Sequence, residues 1–332
     1  MKMLTSNKCL LAAIVLVLSI STVSLAAGSI VFGDFSWDSV QVHNRIAGFI
    51  LEHGCGYDVT HKFGESIPLL LGLRRGDVDA TMEIWVDNIY DAVVDALREG
   101  EIIAIGCNYP DAPQGWYVPT YVIKGDAKRG IKPMAPDLRS VFDLPKYAEL
   151  FPDPQARGKG VFYNAPTGWV AHDINNAKLA AYGLDKDFNS FDTGSDAGLS
   201  SVIIRHYQRG EPVLVYNWEP NWVMGLLDMT RLEEPPYDEA RWQEDFGTAY
   251  PAVTVQVLVN RDFPSREPEA ASLLANYSTK LEHTNAFLAY MQANDASVDE
   301  TARWFLKEHP EVWTRWIIDR DVIAKVAAAL EE

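Results

Sequence analysis

The sequence is poor in the residues that most often carry covalent chemistry. Its 332 residues include only three cysteines and seven histidines. The histidines are scattered, and none stands with cysteine at metal-ligand spacing. The nucleophile elbow G-x-S-x-G, the zinc helix H-E-x-x-H, the dinucleotide loop G-x-G-x-x-G and the Walker loop are all missing. These absences argue against the common hydrolase, metalloprotease and nucleotide-dependent classes, and we expect neither a metal ion nor an organic cofactor.

Positive charge is also scarce. Lysine and arginine total 29 against 46 aspartates and glutamates, so the formal net charge is −17. Nucleic-acid binding depends on a basic patch, and we therefore expect no nucleic-acid partner. Apolar residues make up 48% of the chain, which is ordinary for a globular protein and argues against a disordered one.

The sequence has a single long apolar run, at its N-terminus. Lys2 and Lys8 precede an apolar segment at residues 10–20, which small residues end by Ala26. This order is typical of a cleaved secretory signal peptide, which we assign to residues 1–26. A membrane anchor is the alternative, but the segment is shorter than the roughly 20 residues that a spanning helix needs. Export then predicts a periplasmic protein.

Two cysteines, Cys55 and Cys107, remain once residues 1–26 are removed. Because an exported protein folds in an oxidising compartment, an even pair favours a disulfide between them. Two buried free thiols are the alternative, since the sequence carries no information on the distance between the side chains.

Short strands and helices alternate along most of the chain, which predicts parallel sheets with helices on both faces. Two longer extended runs, at residues 116–124 and 252–259, interrupt this alternation, and we interpret them as crossovers between two lobes. The first lobe then comprises residues 27–118 and 258–332, and the second comprises residues 119–257. Two sequential domains with one linker are the alternative, but neither run has a long flexible flank.

The sequence is rich in tryptophan, with ten in total. Four of them come directly after or at the end of predicted strands: Trp37, Trp85, Trp169 and Trp218. Ligands of α/β sheets bind at the carboxyl ends of strands, so these four indoles are candidates for one shared cleft. Packing in the core is the alternative for each ring taken alone.

The chemistry that such rings suit is specific. An indole face attracts a cation within about 6 Å of the ring centroid. A quaternary ammonium has no N–H donor, so aromatic faces recognise it better than a carboxylate does. The free N–H groups of Val170 and Ala171, at the start of the helix after Trp169, favour an anion. Together these features describe a site for a betaine-like zwitterion.

Three segments carry a family resemblance: Glu83-Ile84-Trp85, Pro166-Thr167-Gly168-Trp169 and Tyr216-Asn217-Trp218-Glu219-Pro220-Asn221-Trp222. They resemble the periplasmic substrate-binding proteins of ABC transporters for glycine betaine, proline betaine and choline, and the likeness runs from Ile30 to the end of the chain. The resemblance implies a two-lobe periplasmic binding protein of type II-like fold, with each lobe a sheet flanked by helices and two crossover strands at the hinge. It also implies delivery of the ligand to an ABC permease in the inner membrane, and we expect a monomer.

The resemblance implies an aromatic box and two backbone N–H donors around the ligand. The implied contacts are Trp85, Trp169, Val170, Ala171 and Trp218. Choline-binding relatives add a ring after the first strand, which Trp37 matches, and another at the first crossover, where Trp116 or Tyr117 falls.

Two departures from the family pattern concern the polar end of the ligand. The loop reads Gly168-Trp169-Val170-Ala171, where betaine-specific members often have Gly-Trp-Gly-Cys. The acidic residue two places after the first tryptophan in choline binders is Ser39 here, with Asp38 one place early. Glu83 shares a strand face with Trp85 and is a candidate contact for a hydroxyl or a protonated oxygen. Glycine betaine, choline, carnitine and trimethylamine N-oxide are therefore all candidate small methylated ligands.

Two other functions fit the same sequence. A secreted hydrolase with paired carboxylates in an aromatic cleft needs no short motif. A sensory module that presents the same ligand to a receptor would carry the same rings. We favour a transport binding protein without enzymatic activity, because its chemistry needs aromatic faces and no nucleophile.

Overall fold

The computed structural model describes residues 28–251 and 253–332. The predicted signal peptide at residues 1–26 lies outside the described residues, so its cleavage stays a prediction. Within the described ranges, no helix is both long enough and apolar enough to cross a membrane.

Two five-stranded sheets organise the described chain. The strands are β1 Ser29–Phe35, β2 Asp58–Gly64, β3 Ala80–Trp85, β4 Ile102–Ala112, β5 Gln114–Pro119, β6 Gly160–Asn164, β7 Phe188–Asp192, β8 Val215–Trp218, β9 Met229–Arg231 and β10 Val253–Asn260. The first sheet has the order β2-β1-β3-β10-β4, and the second has the order β7-β6-β8-β5-β9. We call the parts of the chain built on these sheets the first and second lobe.

Each sheet is parallel on one side and antiparallel on the other. In the first sheet β1 runs parallel to β2 and β3, whereas β10 runs antiparallel to β3 and β4. In the second sheet β6 runs parallel to β7 and β8, whereas β5 runs antiparallel to β8 and β9. The α/β architecture with two lobes is confirmed. The antiparallel pairs all involve β10 in the first sheet and β5 in the second.

Helices pack against both sheets. The α-helices of the described ranges are α1 Asp38–Ile50, α2 Ser66–Arg75, α3 Tyr90–Arg98, α4 Thr120–Lys124, α5 Val170–Ala181, α6 Asp196–Arg209, α7 Trp222–Leu226, α8 Glu239–Asp245, α9 Phe263–Arg266, α10 Pro268–Asn276, α11 Leu281–Asn294, α12 Val298–Glu308, α13 Pro310–Trp313 and α14 Arg320–Leu330. A π-helical turn at Leu51–Cys55 extends α1. In the first lobe, α1 contacts β1 and β3, and α10 contacts β4. In the second lobe, α5 contacts β7.

The chain changes sheet at two prolines. Pro113 separates β4 from β5, and Pro251 lies two residues before β10. Proline cannot donate to a strand ladder, so each of these positions precedes a new strand instead of continuing an old one. The extended runs interpreted as crossovers therefore lie beyond the crossings. β5 and α4 lie wholly in the second lobe, and β10 lies wholly in the first. The chain therefore passes from one sheet to the other before residues 118 and 257, the lobe boundaries predicted from the sequence.

The predicted disulfide between Cys55 and Cys107 is wrong, because both cysteines are free. Cys55 ends the π-helical turn after α1, whereas Cys107 lies on β4 at the edge of the first sheet. Burial and the neighbouring Glu269 carboxylate raise the pKa of the Cys55 thiol to about 12. That thiol therefore stays protonated, which makes it a poor nucleophile.

A buried lysine fastens α5 to the C-terminal part of the second lobe. Lys178 Nζ lies 2.8 Å from Glu234 Oε1, and the two side chains are 0% and 2% exposed. The ammonium also donates to the carbonyl oxygen of Thr248. It faces three ring centroids at 4.7 to 5.5 Å, those of Tyr182, Trp242 and Tyr250. Each charge of this pair is thus neutralised inside the core.

We expect Lys178→Met to lower the free energy of unfolding by about 3–5 kcal/mol, because Glu234 would keep a buried and unpaired charge. The double variant Lys178→Met with Glu234→Gln should recover most of this loss, since it buries no charge. Urea unfolding followed by circular dichroism measures both values. A double variant as unstable as Lys178→Met alone would contradict this account.

Candidate functional site

Four of the predicted tryptophans line one cavity between the two lobes. Trp37 precedes α1 and Trp169 precedes α5, whereas Trp85 ends β3 and Trp218 ends β8. All four thus lie at or just beyond the carboxyl ends of strands. The cavity has a volume of about 40 Å³. This space suits a ligand of few heavy atoms and not a drug-sized molecule.

Trp169 occupies the centre of this aromatic cluster. Its ring makes edge contacts with Trp37, at a centroid distance of 5.5 Å, and with Trp218, at 5.0 Å. Phe35 stacks on Trp37, and Tyr216 stacks on Trp218. Because Trp37 belongs to the first lobe and Trp169 to the second, the cluster bridges the lobes.

A buried glutamate holds two of the indoles from behind. Glu83 is 0% exposed. Its Oε1 accepts hydrogen bonds from Nε1 of Trp37 at 2.8 Å, from Nε1 of Trp85 at 2.9 Å and from Oγ of Ser39 at 2.9 Å. Glu83 does not itself line the cavity. The expectation that it contacts a ligand oxygen is therefore corrected, because its Oε1 instead accepts hydrogen bonds from the indole N–H groups.

Burial governs the ionisable groups behind the cavity. It raises the pKa of the Glu83 carboxyl, and the hydrogen bonds from Trp85, Trp37 and Ser39 oppose this shift. His43 Nε2 lies 3.9 Å from Glu83 Oε2. Burial lowers the pKa of His43 to about 3, so this imidazole is neutral near pH 7 and brings no positive charge to Glu83.

The start of α5 forms one wall of the cavity. Val170 and Ala171 line it, and neither N–H group donates to another described residue. The first N–H groups of a helix have no intrahelical acceptor and favour an anion. Gly168 precedes this start with a φ of 104°. A Cβ there would lie 3.0 Å from the carboxyl group of Glu65, so only glycine fits between the lobes.

A hydrogen-bond chain connects the two lobes beside the cavity. Trp169 Nε1 in the second lobe donates to Ser36 Oγ in the first at 2.8 Å. Ser36 Oγ in turn donates to Glu65 Oε2 at 3.0 Å. The central indole of the cluster is therefore fixed by the opposite lobe.

Trp116 does not reach the cavity, and its prediction as a ligand contact is corrected. It is fully buried on β5 in the second lobe, where its ring stacks on Phe162 at 4.2 Å and its Nε1 donates to Asn175 at 2.8 Å. Tyr117 does not line the cavity either. The reason is the crossing at Pro113, which places β5 inside the second sheet and not at the cleft.

Phe35 and Tyr216 line the cavity although the sequence reasoning missed them. Each lies two residues before a cavity tryptophan, Phe35 before Trp37 and Tyr216 before Trp218. Tyr216 and Trp218 share a face of β8, because residues two apart on a strand do so, whereas Phe35 ends β1 next to the turn that carries Trp37. The polar side chains of the lining are Ser66 and Asn88.

Two carboxylates from opposite lobes meet next to the cluster. Asp38 is the first residue of α1 and Asp196 is the first residue of α6, and both line a small cleft beside Trp218. Burial raises the pKa of both carboxyls, and the proximity of Asp38 raises the pKa of Asp196 further. The pair therefore opposes contact between the lobes when both groups are charged.

The fold and this site define a class of proteins, the two-lobe binding proteins with a ligand cavity between α/β lobes. A solved choline-binding protein of an ABC transporter, in complex with choline, superposes with a TM-score of 0.73 at 20% identity over 91% of this chain and 98% of its own. The glycine betaine, L-proline-binding protein from Borrelia burgdorferi gives 0.72 at 17% identity over 90% and 99%. At these identities the likeness concerns the fold.

The chain belongs to the OpuAC family, described as the substrate binding domain of ABC-type glycine betaine transport system, through its residues 28–308. It is 27% identical over 309 residues to the trimethylamine N-oxide-binding protein of Pelagibacter ubique, covering 91% of this chain and 96% of that one. It is 26% identical over 262 residues to the glycine betaine/proline betaine-binding periplasmic protein of Escherichia coli, covering 74% and 76%.

We expect Asp196→Asn to raise the midpoint of thermal unfolding by roughly 2–4 °C at about pH 8 and to change it little at about pH 4. Because the pKa of Asp196 is raised to about 8 in the folded protein, the carboxyl costs stability wherever the unfolded chain ionises more readily; this cost grows from pH 3.8 to about 8 and disappears below 3.8. The exposed Asp185→Asn is the matched control. An equal shift at both pH values, or none in either variant, would contradict the role of the pair.

Proposed function

We propose that this protein is the extracytoplasmic solute-binding protein of an ABC importer and that it binds a quaternary-ammonium or related methylated osmolyte. The observation that carries the proposal is the cavity of Trp37, Trp85, Trp169 and Trp218, which has no charged side chain among its described lining residues. A trimethylammonium group offers methyl surface and diffuse charge but no donor. Indole faces satisfy both properties without a hydrogen bond.

The start of α5 supplies the contact for the other end of the ligand. The N–H groups of Val170 and Ala171 are available to donate to a ligand oxygen. A carboxylate, an N-oxide oxygen or a hydroxyl oxygen can each accept such hydrogen bonds. This wall and the aromatic cluster together match a ligand with a trimethylated nitrogen and one nearby oxygen.

The close packing of the rings favours compact members of this class. The rings of Trp37 and Trp218 both contact Trp169, which leaves less room for the longer carnitine than for trimethylamine N-oxide, glycine betaine or choline. The names of the relatives support the same range, since one is a trimethylamine N-oxide-binding protein and another binds glycine betaine and proline betaine.

Membership of the family supports a periplasmic location and an ABC permease as partner. The predicted signal peptide fits the same compartment. Contact between the lobes depends on groups that line or adjoin the cavity, so a bound ligand would favour the closed form that the permease recognises.

Titration of tryptophan fluorescence with trimethylamine N-oxide, glycine betaine, choline and carnitine tests the proposed function. We expect saturable changes and a rise in the thermal unfolding midpoint with at least one compact ligand, and the weakest binding with carnitine. If none of the four ligands changes either signal, the proposed function is wrong.

Replacement of one ring should weaken this binding. Trp218→Ala removes one indole of the cavity lining, which contacts the rings of Trp169 and Tyr216, so it tests the contribution of this ring. We expect the dissociation constant to rise about tenfold or more, from the lost cation–π and methyl contacts. Isothermal titration calorimetry measures this change.

The matched control is Trp304→Ala. Trp304 lies on α12, and its ring stacks on Tyr290 at a centroid distance of 4.3 Å. It does not line the cavity. A Trp218→Ala variant that binds as tightly as Trp304→Ala would count against the aromatic cluster as the ligand site.

A further inference from the structure

We propose that Glu83 is the counter-ion of this site: a carboxylate behind the aromatic cavity whose negative charge favours ligands with a net positive charge over ligands whose charges cancel. The inference rests on the proposed function, because it concerns selection among methylated ligands. Glu83 does not line the cavity. It would act through the two indoles that separate it from the ligand.

Burial raises the pKa of the Glu83 carboxyl, whereas its hydrogen-bond pattern opposes this shift and favours the charged form. Three donors converge on its Oε1, at 2.8 to 2.9 Å, from Trp37, Trp85 and Ser39. Three donated hydrogen bonds on one oxygen stabilise a carboxylate and leave that oxygen no proton of its own. Each indole presents its N–H edge to the anion, so the negative charge polarises two rings of the cavity directly.

No positive side chain neutralises this carboxylate within the described residues. Its nearest basic group is His43, which is neutral near pH 7. Glu83 Oε2 has no well-formed hydrogen bond among the described residues, and its buried neighbours Tyr109 and Tyr277 are neutral phenols, of which Tyr109 is placed to donate to the carboxylate. A buried charge without a partner is costly. A cation in the cavity is therefore the counter-charge that the folded protein itself lacks.

This placement treats a cation and a zwitterion differently. The nitrogen of choline and that of glycine betaine would both occupy the aromatic cluster and gain from Glu83. The carboxylate of glycine betaine would lie at the start of α5, where the same negative charge repels it and cancels part of the gain. A role for Glu83 that is only structural, as an anchor for two rings, would instead support both ligands equally.

The test is Glu83→Gln, which keeps an acceptor oxygen for the indoles and removes the charge. We expect the affinity for choline to fall about tenfold or more and the affinity for glycine betaine to fall much less. The control is Glu308→Gln, at an exposed residue of α12. It removes the same formal charge far from the cavity and should leave both affinities unchanged.

The outcomes separate the inference from the function on which it rests. If the wild-type protein binds neither choline nor glycine betaine, that part of the proposed function fails. If it binds them and Glu83→Gln weakens both by the same factor, or Glu308→Gln gives the same shift in preference, the counter-ion role is wrong. A fall in the ratio of choline affinity to glycine betaine affinity in Glu83→Gln alone supports the role.

A second measurement applies if Glu83→Gln does not fold. The ratio of choline affinity to glycine betaine affinity should fall as the pH is lowered from about 8 to about 4.5, because burial raises the pKa of Glu83 and protonation removes its charge. The other titratable groups around it are Asp38, His43, Tyr109, Asp196 and Tyr277. The imidazole and the phenols stay neutral in this range, and the aspartate pair acts on lobe contact, which both ligands share. An unchanged preference would contradict the inference.

Discussion

A buried indole N–H group needs an acceptor, and this requirement determines the arrangement of the cavity. Trp37 and Trp85 donate to one oxygen of Glu83, and Trp169 donates to Ser36. With these edges tied, the rings have little freedom to turn. A site whose rings are already oriented loses less side-chain entropy when it binds, so the carboxylate contributes to affinity before any ligand arrives.

The same requirement couples the cavity to the contact between the lobes. Trp169 belongs to the second lobe, but its acceptor Ser36 belongs to the first, so this hydrogen bond exists only when the lobes meet. The facing carboxyl groups of Asp38 and Asp196 oppose that meeting, because burial and the Asp38 charge raise the pKa of Asp196 to about 8, so that Asp196 must take up a proton near neutral pH or remain as an unfavourable buried charge. Closure is therefore a balance between a hydrogen bond with ring contacts on one side and the burial of two carboxyl groups on the other, which is a balance that a small ligand can shift.

Local sequence patterns predicted the site residues that lie at strand ends. They did not predict contacts between segments that are far apart in the sequence. Trp85 and Trp218 were found because alternating strands and helices put carboxyl ends at one edge of each sheet. Trp116 was misplaced because Pro113, and not the extended run after it, marks the crossing. The indole of Trp37 reaches Glu83 from the turn between β1 and α1, and no spacing in the sequence reports such a contact.

The second lobe holds its own ammonium in the way proposed for the ligand. Lys178 lies among three rings, with Glu234 at 2.8 Å. A lysine has N–H donors, so its carboxylate can stand in direct contact and form a hydrogen-bonded ion pair. A quaternary nitrogen has none, and a carboxylate in the cavity would remain unsatisfied. Placing Glu83 behind the indoles eases this conflict, because the two rings donate hydrogen bonds to its Oε1 while its charge lies next to the cavity.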